Sequence, residues 1–334
     1  AIQEIKKVAE ISPSDPGVYM QLGILYEFQE DWNSAIQAFD KAQQLDAKKE
    51  QAYEHLANAY SKQRMYSKAL ETYKTALSKG IEGPFIHYQM ANTFFEMEET
   101  DKALKEFDKV LKLSPNFFMA HLKKGVILKR VGEMEEARKE FEQAIKLNPD
   151  LAIGFYELGN VYTMLQEDEQ ALQAYQKSAS LNPYTTNVNT KIAEIYNRQN
   201  RYDDAIRFLK KALETDSGQF MTYYHLAQAY QNKGMRKEAI EAYEKVLQVF
   251  PVFFTAHYNL GLLLSEEGKY AQALEKFEQT LNLNPNFTIA IYQIGKAHLR
   301  MGNKTEAKRR LEEYLHRVPE GEAAVEAKQA LAKL

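Results

Sequence analysis

The chain has 334 residues with 43 Lys or Arg against 46 Asp or Glu, a net charge of −3, so it lacks the global basic field that nucleic-acid binding needs. It contains no cysteine, which excludes disulfides, thiol catalysis and thiolate metal sites together. No apolar run approaches the roughly 20 residues of a membrane-spanning helix, and no signal peptide is visible.

The predicted elements are pairs of short amphipathic helices, and residues 152–185 show the spacing most plainly. Leu158, Gly159 and Tyr162 fall on one side of a first helix, and Ala171, Tyr175 and Ser178 do the same on a second. Gly159 and Ala171 are small where two helices must approach closely, Tyr162 and Tyr175 are large where a gap must be filled, and Asn182-Pro183 ends the second helix.

Taken in order, the chain starts in the middle of such a pair, because Ala1, Ile5, Val8 and Pro13 occupy the slots of Ala171, Tyr175, Ser178 and Pro183. Residues 1–15 are therefore expected to be the second helix of a truncated repeat, in an excised or processed segment. A 34-residue frame then runs from 16 to 321 in nine copies without insertion or deletion, beginning at Pro16, Glu50, Pro84, Phe118, Ala152, Thr186, Phe220, Phe254 and Thr288. The slot of Ala171 holds alanine every time, and the slot of Gly159 only Gly or Ala. Between the second and third copies the terminal Pro is replaced by Ile81 and two glycines, Gly80 and Gly83, stand within four residues, which allows a small hinge; the preferred expectation is that Gly80 closes the preceding helix ahead of an ordinary turn. Lys124 stands in the slot of Leu158 and is expected to snorkel past its neighbours. Residues 322–334 form a strong helix former, but Gln329 stands where the counterpart of Gly159 should be, which predicts a capping helix over the last repeat.

This order of Leu-Gly, Tyr, Ala, aromatic and Pro resembles the tetratricopeptide repeat (TPR) family. The resemblance covers residues 16–321 and implies an all-α fold, an α-solenoid of helical hairpins wound as a right-handed TPR superhelix, with a concave groove that binds extended or helical peptides. The residues shared with the family are those that pack hairpins, so they speak for the fold more than for the function.

No chemistry stands out on this scaffold. His87, His121 and His257 share the slot of Phe155 once per hairpin. Helices about 8–10 Å apart do not bring two such rings onto one metal ion, so these are expected to be structural. No Gly-rich phosphate loop, nucleophile elbow or H-E-x-x-H run occurs, and carboxylates such as those of Glu133 to Glu142 lie among Lys and Arg on solvated faces. The expectation is a non-enzymatic chain with no cofactor and no metal.

What remains is a stripe about 200° around the first helix from Leu158, formed in the guide pair by Ile153, Tyr156, Asn160 and Thr163. The slot of Tyr156 holds Met20, Tyr88, Leu122, Tyr156, Tyr224, Tyr258 and Tyr292, and that of Ile153 holds Phe85, Met119, Ile153, Met221 and Ile289. A line of exposed apolar side chains at such positions predicts an interaction surface. Asn92, Phe95 and Asn160 extend it, and repeat six is polar, with Thr190 and Lys191. Lys123, Lys129 and Arg130 add charge, giving apolar patches beside a partly basic middle that suits a peptide with apolar anchors and an acidic centre.

Three classes of function fit: a scaffold binding a peptide or partner helix in its groove, the regulatory or substrate-delivery arm of a larger enzyme, and a bacterial envelope scaffold for polysaccharide export or pilus assembly. The inner Asn ladder of the TPR arm of O-GlcNAc transferases is missing, since the slot of Glu157 holds Gln21, His55, Gln89, Lys123, Lys191, His225, Asn259 and Gln293. The carboxylate clamp for a chaperone C-terminal tail is also incomplete, with Glu54 where a cation is needed, so that partner is not expected.

Overall fold

The computed structural model describes residues 1–46, 48, 50–182 and 187–334. Among them lie twenty α-helices and no strand. The chain divides into two compact units, residues 1–171 and 172–334.

The first unit contains α1 (Ile2–Ile11), α2 (Pro16–Phe28), α3 (Trp32–Leu45), α4 (Glu50–Lys62), α5 (Tyr66–Ser78), α6 (Pro84–Glu96), α7 (Thr100–Leu113), α8 (Phe118–Val131), α9 (Met134–Leu147) and α10 (Ala152–Met164). The division falls within α11 (Asp168–Leu181). The second unit continues with α12 (Val188–Arg198), α13 (Tyr202–Thr215), α14 (Phe220–Lys233), α15 (Arg236–Val249), α16 (Phe254–Glu266), α17 (Tyr270–Leu283), α18 (Ile289–Arg300), α19 (Lys304–Arg317) and α20 (Glu322–Leu331). Pro183 and Thr186, where a helix end and a repeat start are expected, lie outside the described residues.

Within each unit the helices pack as consecutive antiparallel neighbours: α2 on α3, α3 on α4, and so on to α10, then α12 on α13 through to α20. The small and large slots explain this stacking. All nine alanines of the Ala171 slot are fully buried, and so is the large residue four positions later in each helix, Phe39, Tyr73, Phe107, Phe141, Tyr175, Leu209, Tyr243, Phe277 or Leu311. At Gly125 an added Cβ would sit 2.8 Å from the Phe141 ring, and at Gly261 it would sit 2.6 Å from that of Phe277. The ring of the second helix thus rests on the bare backbone of the first. The guide residue Tyr162 packs half-buried against the cluster of Phe141, Leu158 and Val161, and its hydroxyl donates to Glu142 at 3.4 Å.

The turn inside each hairpin carries a feature with the same period. Glu30, Arg64, Glu98, Gly132, Gln166, Asn200, Gly234, Gly268 and Gly302 all adopt positive φ, from 57° to 92°. The left-handed residue lets the chain reverse in a few residues, and four of the nine are glycine, the residue that tolerates that conformation best. Gly80, with φ 77°, ends α5: its amide bonds to the Leu77 carbonyl at 3.0 Å, and the Ile81 amide bonds back to Ala76 at 3.1 Å.

Lys124 reaches past its leucine slot to carboxylates on both sides: its ammonium donates to the exposed Asp108 at 2.9 Å and to the half-buried Glu140 at 2.8 Å, joining α7, α8 and α9. Burial lowers its pKa, but the hydrogen bonds to Asp108 and Glu140 carry it above the ordinary value. A cation can occupy a leucine slot here because two carboxylates from neighbouring helices satisfy it.

Candidate interaction surface

The first helix of each hairpin positions the candidate residues, and its 3.6-residue period sets the slots of Ile153 and Tyr156 three residues apart on adjacent turns. Burial separates them. In the outer slot Phe85 is 40%, Ile153 44% and Met221 39% exposed. Met119 and Ile289 are half-buried against neighbouring core residues. In the inner slot Tyr88 is 9%, Leu122 5% and Tyr292 4% exposed, which corrects the expectation of one continuous exposed line. Tyr156, Tyr224 and Tyr258 are half-buried.

At Tyr88, Tyr224 and Tyr258 a second ring covers the inner slot from the loop before the next hairpin. Tyr88 meets Phe107 of α7 edge-on at 5.8 Å and Phe117 at 5.2 Å. Tyr224 meets Tyr243 of α15 at 5.9 Å and Phe253 at 5.1 Å. Tyr258 meets Phe277 of α17 at 5.8 Å and Phe287 at 4.9 Å. Each inner ring is wedged between its own hairpin and the loop that follows, in geometries that the ring quadrupoles favour. A sequence signal existed for this: Phe117, Phe253 and Phe287 each stand 29 positions after an inner-slot tyrosine. Phe85 stacks on Tyr88 at 6.3 Å, so the exposed outer ring rests on a rigid buried one.

The charged members are mostly paired, so the middle of the stripe in the first unit is less basic than expected. Arg130 bonds Glu98 at 3.4 Å and lies 5.5 Å over the half-buried Phe95 ring. Lys129 pairs with Glu157 of α10, to which Asn160 also donates at 3.1 Å. Lys123 is exposed. In the second unit Lys191 pairs with Glu194 at 2.9 Å, and Thr190 is buried against Thr222. Between α4 and α6 a polar hollow of about 470 Å³ is lined by Asn58, Ser61, Gln89 and Asn92, and Asn92 donates to Gln89 at 3.3 Å.

The histidines differ between the units. His121 donates from Nδ1 to Glu140 at 2.6 Å and from Nε2 to the Pro115 carbonyl at 3.1 Å, so both nitrogens need a proton. Its pKa is raised by the Glu140 hydrogen bond against the pull of burial, and that of His55 is raised by Glu27 at 2.8 Å in the same way. His257 donates from Nε2 to the Pro251 carbonyl at 2.9 Å, while its Nδ1 is buried without a partner, and burial pushes its pKa down. Burial also lowers His225. His87 bonds Glu106 at 2.7 Å, and no group of three or more potential metal ligands occurs among the described residues.

Opposite pH responses are expected to follow. A raised histidine contributes stability that is complete below the ordinary value of 6.5 and is lost as pH rises through the folded value. A lowered one costs stability as pH falls through 6.5, because the unfolded chain takes up its proton first. Hydrogen exchange corrected for intrinsic rates should show α4 and α8 losing protection as pH rises above 6.5, and α14 and α16 losing it as pH falls below 6.5. His121→Gln should flatten the response of α8, and the same direction in both units would contradict the assignment.

Models of the tetratricopeptide repeat match residues 16–49, 52–84, 184–252, 224–286 and 264–334, and that of the Psidin N-terminal TPR repeats region matches 93–210. No curated protein matches the chain. The C-terminal part of a TPR repeat-containing protein from Cytophaga hutchinsonii superposes with TM-score 0.63 at 15% identity, covering 72% of this chain and 98% of that one. The Cut9–Hcn1 hetero-tetramer of APC/C superposes with TM-score 0.51 at 15% identity, covering 89% and 58%. MamA superposes with TM-score 0.48 at 26% identity, covering 50% and 91%. The first two likenesses show the fold alone, and no described helix is long and apolar enough to cross a membrane. With its nine-fold alanine slot, its stacked hairpins and repeat models matching residues 16–49, 52–84, 93–210 and 184–334, the chain belongs to the tetratricopeptide repeat family.

Proposed function

We propose that the chain is a non-enzymatic scaffold that captures a peptide or a partner's helix along the first-helix stripe of the hairpins within each unit. The reading takes 16–321 as nine repeats and 322–334 as the cap. The observation that carries it is the exposure of Phe85, Ile153 and Met221 in one repeated slot, at 40%, 44% and 39%. Large apolar side chains held in solvent on a stiff helical frame bind without first having to be ordered, which lowers the entropy cost of association. Phe85 is further braced by the buried Tyr88 beneath it.

The test uses a triple variant, Phe85→Ser, Ile153→Ser and Met221→Ser, against peptides selected on the intact chain from a phage-displayed library. The variant is expected to melt within about 2–4 °C of the parent, because exposed sites away from the core change stability little. Its affinity for the selected peptides should fall about tenfold or more, since anchors of this kind carry about 1–2 kcal/mol apiece. Unchanged affinity, or a large drop in melting temperature with binding intact, would sink the proposal.

A further inference from the structure

The last hairpin of the second unit and α20 enclose a hollow of about 760 Å³, within the range of about 300–1,000 Å³ typical of ligand pockets. Four cationic side chains line it, Lys296, Arg300, Lys304 and Lys333, against one acidic side chain, that of Glu326. That carboxylate is already engaged by the Tyr292 hydroxyl and by Lys296 at 3.5 Å, and the Tyr292 hydrogen bond holds its pKa below the ordinary value. Arg300, Lys304 and Lys333 are exposed and make no ion pair among the described residues. In a chain whose side chains sum to a net charge of −3, an excess of three positive side-chain charges gathered on one hollow is a local reversal of sign. The wall between these cations is apolar, with half-buried Leu299 and Ala330 and the ring of Tyr292.

We infer that this hollow docks an acidic peptide segment of a partner protein, an apolar side chain entering between Leu299 and Ala330 while flanking carboxylates meet Arg300, Lys304 and Lys333. Charge complementarity selects the occupant: a basic segment would meet four cationic side chains with no free acidic side chain to answer it, and a purely apolar one would leave three cations beside a desolvated surface. Arginine adds a planar fork that takes a carboxylate by two hydrogen bonds. The inference extends the groove reading to one end of the second unit, but none of its residues lies in the first.

Fluorescence anisotropy of the full chain with a labelled, end-blocked Asp-Glu-Leu-Phe-Glu-Asp peptide tests it. Saturable binding is expected. It should weaken about tenfold or more in the Arg300→Glu, Lys304→Glu double variant, less in Lys333→Glu, and steadily as salt rises from about 0.05 to 0.5 M. Circular dichroism should show both variants folded, since the changed side chains are exposed. Phe85→Ser with Ile153→Ser should leave this binding unchanged, so failure of the groove reading and failure of this one are told apart. The inference is overturned if no binding occurs, if Lys-Lys-Leu-Phe-Lys-Lys or an acidic peptide lacking Leu-Phe binds as well, or if charge reversal has no effect. Self-association of the chain that is lost in the double variant would overturn it too, by making a second copy the occupant.

Discussion

Phe141→Ala is expected to cost about 3–5 kcal/mol, the range for removing a fully buried ring from a core that relaxes only in part. Phe141 lies against Gly125 of α8 and packs with Leu122, Leu128, Leu158 and Val161, so its loss opens a cavity that α8 and α10 share. Among the described residues the hairpins pack mainly on their neighbours, so the damage should stay local. Hydrogen exchange should rise from α8 to α10 and remain at the parent level in α16 and α17. A uniform rise along the chain would show cooperativity far longer in range than nearest-neighbour stacking. Gly125→Ala alone is also expected to destabilise, because its Cβ would lie 2.8 Å from the Phe141 ring. Combined with Phe141→Ala, the new methyl enters the vacated space, so the double variant should be more stable than the sum of the single costs implies.

Tyr88→Ala is expected to cost about 3–4 kcal/mol, and Phe85→Ala, one turn away on α6, less than about 1 kcal/mol. Both are aromatic and both belong to the same stripe, so sequence periodicity treats them alike. The difference comes from Phe107 and Phe117, which close on the Tyr88 ring and leave Phe85 at 40% exposure. Urea denaturation of the two variants measures it. Equal costs would mean that Phe85 is a core residue and that the proposed surface is packing rather than recognition.

Much of the scaffold was legible in the residues. A repeated alanine and a repeated Gly or Ala set where two helix backbones approach, and a large residue four positions after the alanine sets what fills the gap. These requirements are local and steric, so they recur at each copy and survive without any knowledge of neighbours. The reversed turn was harder to see, because only four of its nine left-handed residues are glycine; Glu30, Arg64, Glu98, Gln166 and Asn200 adopt the same conformation under the constraint of the helices on either side.

The tertiary structure alone decided which stripe residues stay exposed and which charges stay free. A 3.6-residue period assigns a side chain to a face, but how much of that face is covered depends on what the next hairpin and its loop bring to it, as Phe117 does for Tyr88. Likewise Lys129 and Arg130 look like free cations in sequence, yet Glu157 and Glu98 stand 28 and 32 positions away and meet them in space. Ion pairing depends on separations of a few ångströms between side chains of adjacent hairpins, and those are set by stacking rather than by the order of residues in any one helix. By the same token, the excess of cations around the hollow at α20 arises because Arg300, Lys304 and Lys333, on three separate segments, are brought to one rim by folding.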